Sequence, residues 1–182
     1  MKAILMSIRP RHDKNILNGI KLWEIRKKFP SDYVGWVYIY CTKEDSLGRI
    51  KDTPHDRYFV DCVDTPQDFE KMDSGYDGKG KVIARFWCDK VEEHRPFFHW
   101  CIEKETCLTR DDVLDYLDSK DKFVGNPKRQ DKVYAIHITK LEIFDKPKEI
   151  SEFKKCYRSK GYPQNQSWYL TRAPQSYCYI EV

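Results

Sequence analysis

The sequence predicts an α+β fold, a mixed β-barrel flanked by short helices and carrying one inserted loop region. Three observations predict it. Aromatic residues make up 14% of the 182 residues, with 12 Tyr, 9 Phe and 5 Trp, and aromatics suit the half-buried surface of a pleated sheet. Residues 34–42, Val-Gly-Trp-Val-Tyr-Ile-Tyr-Cys-Thr, are β-branched and aromatic on both faces, as in a strand covered from both sides. Strand-like runs are interspersed with short helical ones, without the regular βαβ alternation of a doubly wound sheet.

Residues 3–9 read as the first strand. Its apolar start is soon interrupted by Arg9, Arg11 and His12, which argues against a signal peptide. No apolar run in the chain approaches the length needed to span a bilayer. Residues 11–19 read as a helix, because Ile16, Leu17 and Ile20 form an apolar face at helical spacing and Gly19 sits where the helix must stop. The period then changes to two over residues 22–28. Phe29-Pro30-Ser31-Asp32 makes a turn into the strand at 34–42. From Lys43 to Lys79, Asp, Pro and Gly are scattered without a sustained period. This stretch reads as an insertion at about 45–79, with at most one short helix near 66–72, in a single domain spanning 1–182.

A long strand resumes at 81–93. Thr109 is a good N-cap, with Asp112 at the third helical position in capping-box style, for a helix at 110–118. Gly125-Asn126-Pro127 marks a turn, residues 133–144 form another long strand, 147–153 suggest a short helix, and 177–182 close the chain as a strand.

Lys and Arg number 33 against 29 Asp and Glu, a net charge of +4. That is mildly basic, less than a dedicated duplex-DNA binder carries. There is no phosphate-binding glycine loop, dinucleotide fingerprint or Ser-His-Asp order, so no cofactor is expected. Seven cysteines without a CxxC pair suggest a reducing compartment, the cytoplasm. Cys88, His94, His99, Cys101 and Cys107 offer soft ligands within twenty residues, but not at the tight spacing of zinc knuckles, and packed cysteines with surface histidines are the simpler reading. His137, among apolar strand neighbours, reads as a half-buried strand histidine, with a site role as the alternative.

The stretch Asn18–Lys28 carries the most chemistry. After Gly19 it sets Trp23 and Ile25 on one strand face and Glu24 and Arg26 on the other, with Lys21 at the strand mouth. Spacing alone fits either a solvated ion pair on an ordinary strand or a small charged site for an anionic or amide-bearing ligand. The GxKxxExR pattern (Gly19, Lys21, Glu24, Arg26) resembles the signature of the ASCH domains, which have a PUA-like β-barrel. Ser7-Ile8-Arg9-Pro10, the strand from Gly80 to Phe86, Tyr134-Ala135-Ile136-His137-Ile138, Phe144-Asp145-Lys146-Pro147 and the C-terminal Ala173–Tyr179 resemble further ASCH segments in the same order.

PUA-like barrels commonly bind RNA, so the resemblance implies an RNA, nucleoside or nucleotide ligand in a cleft beside Lys21, Glu24 and Arg26. Ser7, Arg9, Gln175 and Ser176 complete the candidate binding site; Lys27 and Lys28 add cations close in sequence, and Arg85, Lys140 and Arg172 are candidates for the rim. Amides, hydroxyls and rings at Asn165–Tyr169 and Gln175–Tyr177 suit base-edge recognition, or a tail packed over the barrel mouth. Some small ASCH proteins are amidohydrolases that deacetylate N4-acetylcytidine through a Lys, a Thr and a Glu. Lys21 matches the Lys, Glu24 stands where the Thr would be, and Glu105, or less well Glu103, is the nearest counterpart of the Glu. A ribonuclease acting through the same cleft and a protein-binding adaptor using the insertion are the other readings.

Overall fold

The computed structural model describes residues 2–43, 78–95, 101–117, 132–156 and 168–182. All but the last two residues of the expected insertion at about 45–79, the short helix near 66–72, the turn at Gly125–Pro127 and the amides at Asn165 and Gln166 lie outside the described residues. The elements are β1 (Lys2–Ile8), α1 (Pro10–Leu17), β2 (Trp23–Arg26), β3 (Gly35–Cys41), β4 (Val82–Cys88), β5 (Val91–His94), α2 (Glu103–Thr106), α3 (Arg110–Tyr116), β6 (Val133–His137), β7 (Thr139–Lys148), a 3-10 turn at Ile150–Glu152, β8 (Lys154–Lys155) and β9 (Tyr177–Glu181). They form a six-stranded sheet in the order β7-β4-β3-β1-β9-β8 and a three-stranded sheet in the order β2-β6-β5. β1 and β3 are parallel and the other pairs antiparallel, which makes the architecture mixed α+β.

Burial follows from covering the large sheet on both faces. Ile4, Met6 and Ile8 of β1 join Val37 and Ile39 of β3 in one core, while Ala3 and Leu5 turn to a second core with Tyr38, Tyr40 and Phe153. The three-stranded sheet contributes Ile136 to the first core. Its outer face, Trp23, Ile25, Val133 and Ala135, is covered by Val113 and Leu117 of the α3 region. The capping box at Thr109 and Asp112 forms as expected, with Asp112 accepting from the Thr109 amide at 2.8 Å.

The two long strands of the sequence reading are each split at a corner. Residues 82–94 leave the large sheet at Asp89–Lys90 and enter the small one; residues 133–148 make the reverse passage at Ile138. The corner is pinned where the His137 amide donates to the Lys90 carbonyl at 3.1 Å and the Thr139 hydroxyl to the Trp87 carbonyl at 2.7 Å. One extra residue on β7 between the Trp87–Thr139 and Arg85–Glu142 pairs makes a bulge, where Lys140 takes φ +46°. The helix expected at 147–153 is instead the end of β7 followed by the 3-10 turn. β7 is an edge strand, and an edge tolerates the missing amide of Pro147. Among the described residues no helix is long and apolar enough to cross a membrane.

Candidate functional site

The geometry of the site begins at the end of α1. Gly19 adopts φ +69°, its amide donates to the Ile16 carbonyl at 2.9 Å, and the Ile20 amide reaches back to Asn15 at 3.0 Å. This is a Schellman termination, which requires a left-handed residue at that point. The Lys21 amide donates to the same Asn15 carbonyl at 3.0 Å, so the helix end fixes the backbone that presents Lys21. Leu22 is held next, its amide donating to Glu105 at 2.7 Å and its carbonyl accepting from Ile138 at 2.9 Å, and β2 follows.

The charged face of β2 points inward. Lys21 is 1% exposed, Glu24 4% and Arg26 8%. The Glu24 carboxylate bridges the two cations, with Oε1 3.0 Å from Arg26 Nη2 and Oε2 3.4 Å from Lys21 Nζ. Lys21 also donates to the Thr106 carbonyl at 2.9 Å, and Arg26 to the Ser7 carbonyl at 2.7 Å. The solvated ion pair that spacing allowed is thus a buried triad joining both sheets and α2. Two of its atoms remain without a hydrogen bond: Glu24 Oε2, an acceptor, and Arg26 Nε, a donor.

These side chains floor a cleft of about 730 Å³. Ser7, Arg9, Lys21, Glu24, Arg26, Gln175 and Ser176, expected as the binding site, all line it. The tail reaches the cleft because Ser7 ties it to β1: its hydroxyl donates to the Pro174 carbonyl at 2.6 Å and its amide to the Ser176 carbonyl at 2.9 Å. Glu105 does not line the cleft, and its Oε2 accepts from the Trp23 indole at 2.9 Å. Arg85 pairs with Glu142 at 2.7 Å and lies over the Trp36 ring, and Lys140 lies near Trp87; neither they nor Arg172 line the cleft. His137 pairs with Asp89 at 2.7 Å outside it. Trp168 is exposed, whereas Tyr177 packs on Phe29.

Several lining residues escaped the sequence reading. Arg11 and His12 occupy the first turn of α1 directly after Arg9, and that adjacency was the available signal. Asp112, Asp115 and Tyr116 share one face of α3 at helical spacing, opposite the packed Val113 and Leu117. Burial, followed by the nearby Lys21, Arg11, Arg26 and Arg9, holds the His12 imidazole well below its ordinary value of 6.5, so it is neutral at neutral pH. The next residue, Asp13, is fully buried. Burial and then Glu24 raise its carboxyl well above the ordinary range, against a Cys41 hydrogen bond and Arg26, which lower it.

Among the described residues no three His, Cys, Asp or Glu side chains gather as a metal site, and His99 lies outside those residues. The Cys88 thiol donates to the Tyr33 and Lys90 carbonyls, and burial pushes it up to about 12, so it is a packed thiol.

No protein-family model matches the chain, and no curated protein does. Solved structures do. The crystal structure of ASCH from Zymomonas mobilis is similar over 98% of this chain and 87% of its own, at 15% identity and a TM-score of 0.55. The fold is that of the ASCH domain. A serine-to-alanine mutant of the same Zymomonas mobilis protein matches over 98% of this chain and 88% of its own at 14% identity (TM-score 0.53). A tyrosine-to-phenylalanine mutant of it matches over 82% and 77% at 15% identity (TM-score 0.51). The fold expected from the ordered segments therefore holds here, and the cleft lies where β1, β2, α1, α3 and the tail of this chain converge.

Proposed function

We propose that this ASCH-fold protein binds RNA, or a modified nucleoside, through the cleft beside Lys21, Glu24 and Arg26. The observation that carries the reading is the floor: a buried acceptor and a buried donor, Glu24 Oε2 and Arg26 Nε, both open to a further hydrogen bond. A nucleobase edge offers that complement, an exocyclic amine for Glu24 and a ring nitrogen or carbonyl for the guanidinium. Arg9, Arg11 and Lys27 on the cleft wall provide for a phosphate, and Tyr116 provides a ring face. The volume fits one nucleotide-sized ligand. Free cysteines among the described residues agree with a cytoplasmic setting.

The enzymatic alternative, hydrolysis of an acylated nucleoside or of RNA, is favoured by one observation, the contact between Lys21 and Glu24 at 3.4 Å, a pair able to exchange a proton. Glu105, engaged by Trp23, supplies no third group in this arrangement.

Fluorescence titration with short single-stranded RNA at two salt concentrations tests the binding reading. Affinity should fall steeply with salt, with a log–log slope of about −0.7 per phosphate contacted. Glu24→Gln, assayed below its melting temperature, should weaken binding by about tenfold, since a base contact is worth roughly 1–3 kcal/mol. Affinity that is absent at low salt or indifferent to salt sinks the proposal. Release of acetate from N4-acetylcytidine by the parent, abolished in Lys21→Met, would decide for the enzyme.

A further inference from the structure

A second hollow lies beside the cleft. It is an open groove of about 640 Å³, where the residues following β2 meet β6 and β9. Its rings are Tyr177 and Tyr179, two residues apart on β9 and so on one face, and Tyr134 of β6. Tyr177 is braced by Phe29, 5.3 Å away between ring centroids. Its lining is basic, from Lys27, Lys28 and Lys132 against the carboxylate of Asp32, with Lys132 also paired to Glu93 at 2.9 Å.

The groove continues the cleft at three points. Lys27 lines both hollows, and its ammonium lies 4.9 Å from the centroid of Tyr116, a cleft residue. Ser176 lines the cleft and the next residue, Tyr177, lines the groove. Arg26 of the cleft is the cross-strand partner of Tyr134 in the groove.

We propose that the groove carries roughly two further nucleotides of a single strand whose first nucleotide occupies the cleft, so that the ligand is single-stranded RNA and not a free nucleoside. This inference rests on the RNA reading of the cleft. Rings beside lysines are the combination that stacks unpaired bases while neutralising their phosphates. The three tyrosines pack on the first core and are only half-buried, so each keeps surface for a base; a phosphate alone would use the lysines and not that surface, and a duplex keeps its bases stacked on one another, out of reach. Burial, followed by Tyr179, raises the Tyr177 phenol above its ordinary value, so its hydroxyl stays a donor for a phosphate or ribose oxygen.

The test measures fluorescence anisotropy of the full chain with the four mononucleotides, mixed-sequence single-stranded RNAs of increasing length, and an RNA duplex. Affinity should rise at least about tenfold between one and about three nucleotides and then level, with the duplex weaker than the single strand. Lys28→Glu changes an exposed residue. It and Tyr134→Ala should each lower tetranucleotide affinity about tenfold, leave mononucleotide affinity unchanged, and keep the parent's melting temperature closely enough to be assayed folded; Tyr134→Phe should restore most of the loss. Mononucleotides binding as tightly as tetranucleotides would overturn the groove and leave the cleft reading standing. So would a length dependence untouched by Lys28→Glu and Tyr134→Ala, because the strand then leaves the cleft elsewhere. If no RNA species binds at low salt, groove and cleft readings fall together.

Discussion

Glu24 holds two cations on one carboxylate inside the protein, Lys21 at 3.4 Å and Arg26 at 3.0 Å. Removing one member of such a set leaves buried charge uncompensated, which costs far more than losing a surface pair. Glu24→Gln should therefore lower stability by about 3 kcal/mol. Adding Lys21→Met removes one of the two stranded cations, so the double variant should melt above the single one. Thermal unfolding of the parent, the two single variants and the double variant checks this; a double variant as unstable as the sum of its parts would mean that the contacts are not coupled. The sequence revealed which residues share a face of β2 but not that this face is interior. Alternation is blind to that here, because α3 covers one face of β2 while the cleft and the large sheet take the other, and all four residues are buried.

Termination of α1 is the element on which the site depends, because Gly19 turns the chain that delivers Lys21. A Cβ at Gly19 would meet nothing within 4 Å, so only its φ of +69° demands glycine. Gly19→Ala should cost about 1 kcal/mol and Gly19→Asn less, because Asn visits the left-handed region more readily. Denaturant unfolding would register the order Gly, Asn, Ala; equal stability of the parent and the Ala variant would mean that the helix end rearranges without loss. Such local devices were legible: the stop at Gly19 and the cap at Thr109 are written in adjacent residues. The corners at Asp89–Lys90 and Ile138 were not, since each is made by contacts between segments about fifty residues apart, Thr139 to Trp87 and His137 to Asp89 among them.

At the scale of the whole molecule the cleft is a long-range assembly, drawing on β1, α1, β2, α3 and the tail, so its membership could be reached only in part from a string of residues. The ordered ASCH-like segments located Ser7, Arg9 and Gln175–Ser176; nothing local announced that α1 would set a buried imidazole with a lowered value next to a buried carboxyl with a raised one. These neighbours shape stability against pH in opposite directions. The folded His12 value lies below 6.5, so from that lowered value up to about 6.5 the unfolded chain holds the extra proton and stability rises with pH. The folded Asp13 value lies above 3.8, so from about 3.8 up to the raised value the folded chain holds the extra proton and stability falls as pH rises. The charged and thiol groups acting on Asp13 are Glu24 and Arg26 from β2 and Cys41 from β3, and the cation among them does not offset the burial. Asp13→Asn keeps the shape, removes the titration and leaves that of His12 in place. Its melting temperature relative to the parent should therefore improve as pH rises from about 3.8 toward the raised Asp13 value, whatever fixed offset the amide itself introduces. A difference that is constant with pH, or that worsens as pH rises, would mean that the folded protein holds Asp13 ionised, with Arg26 as its counter-charge.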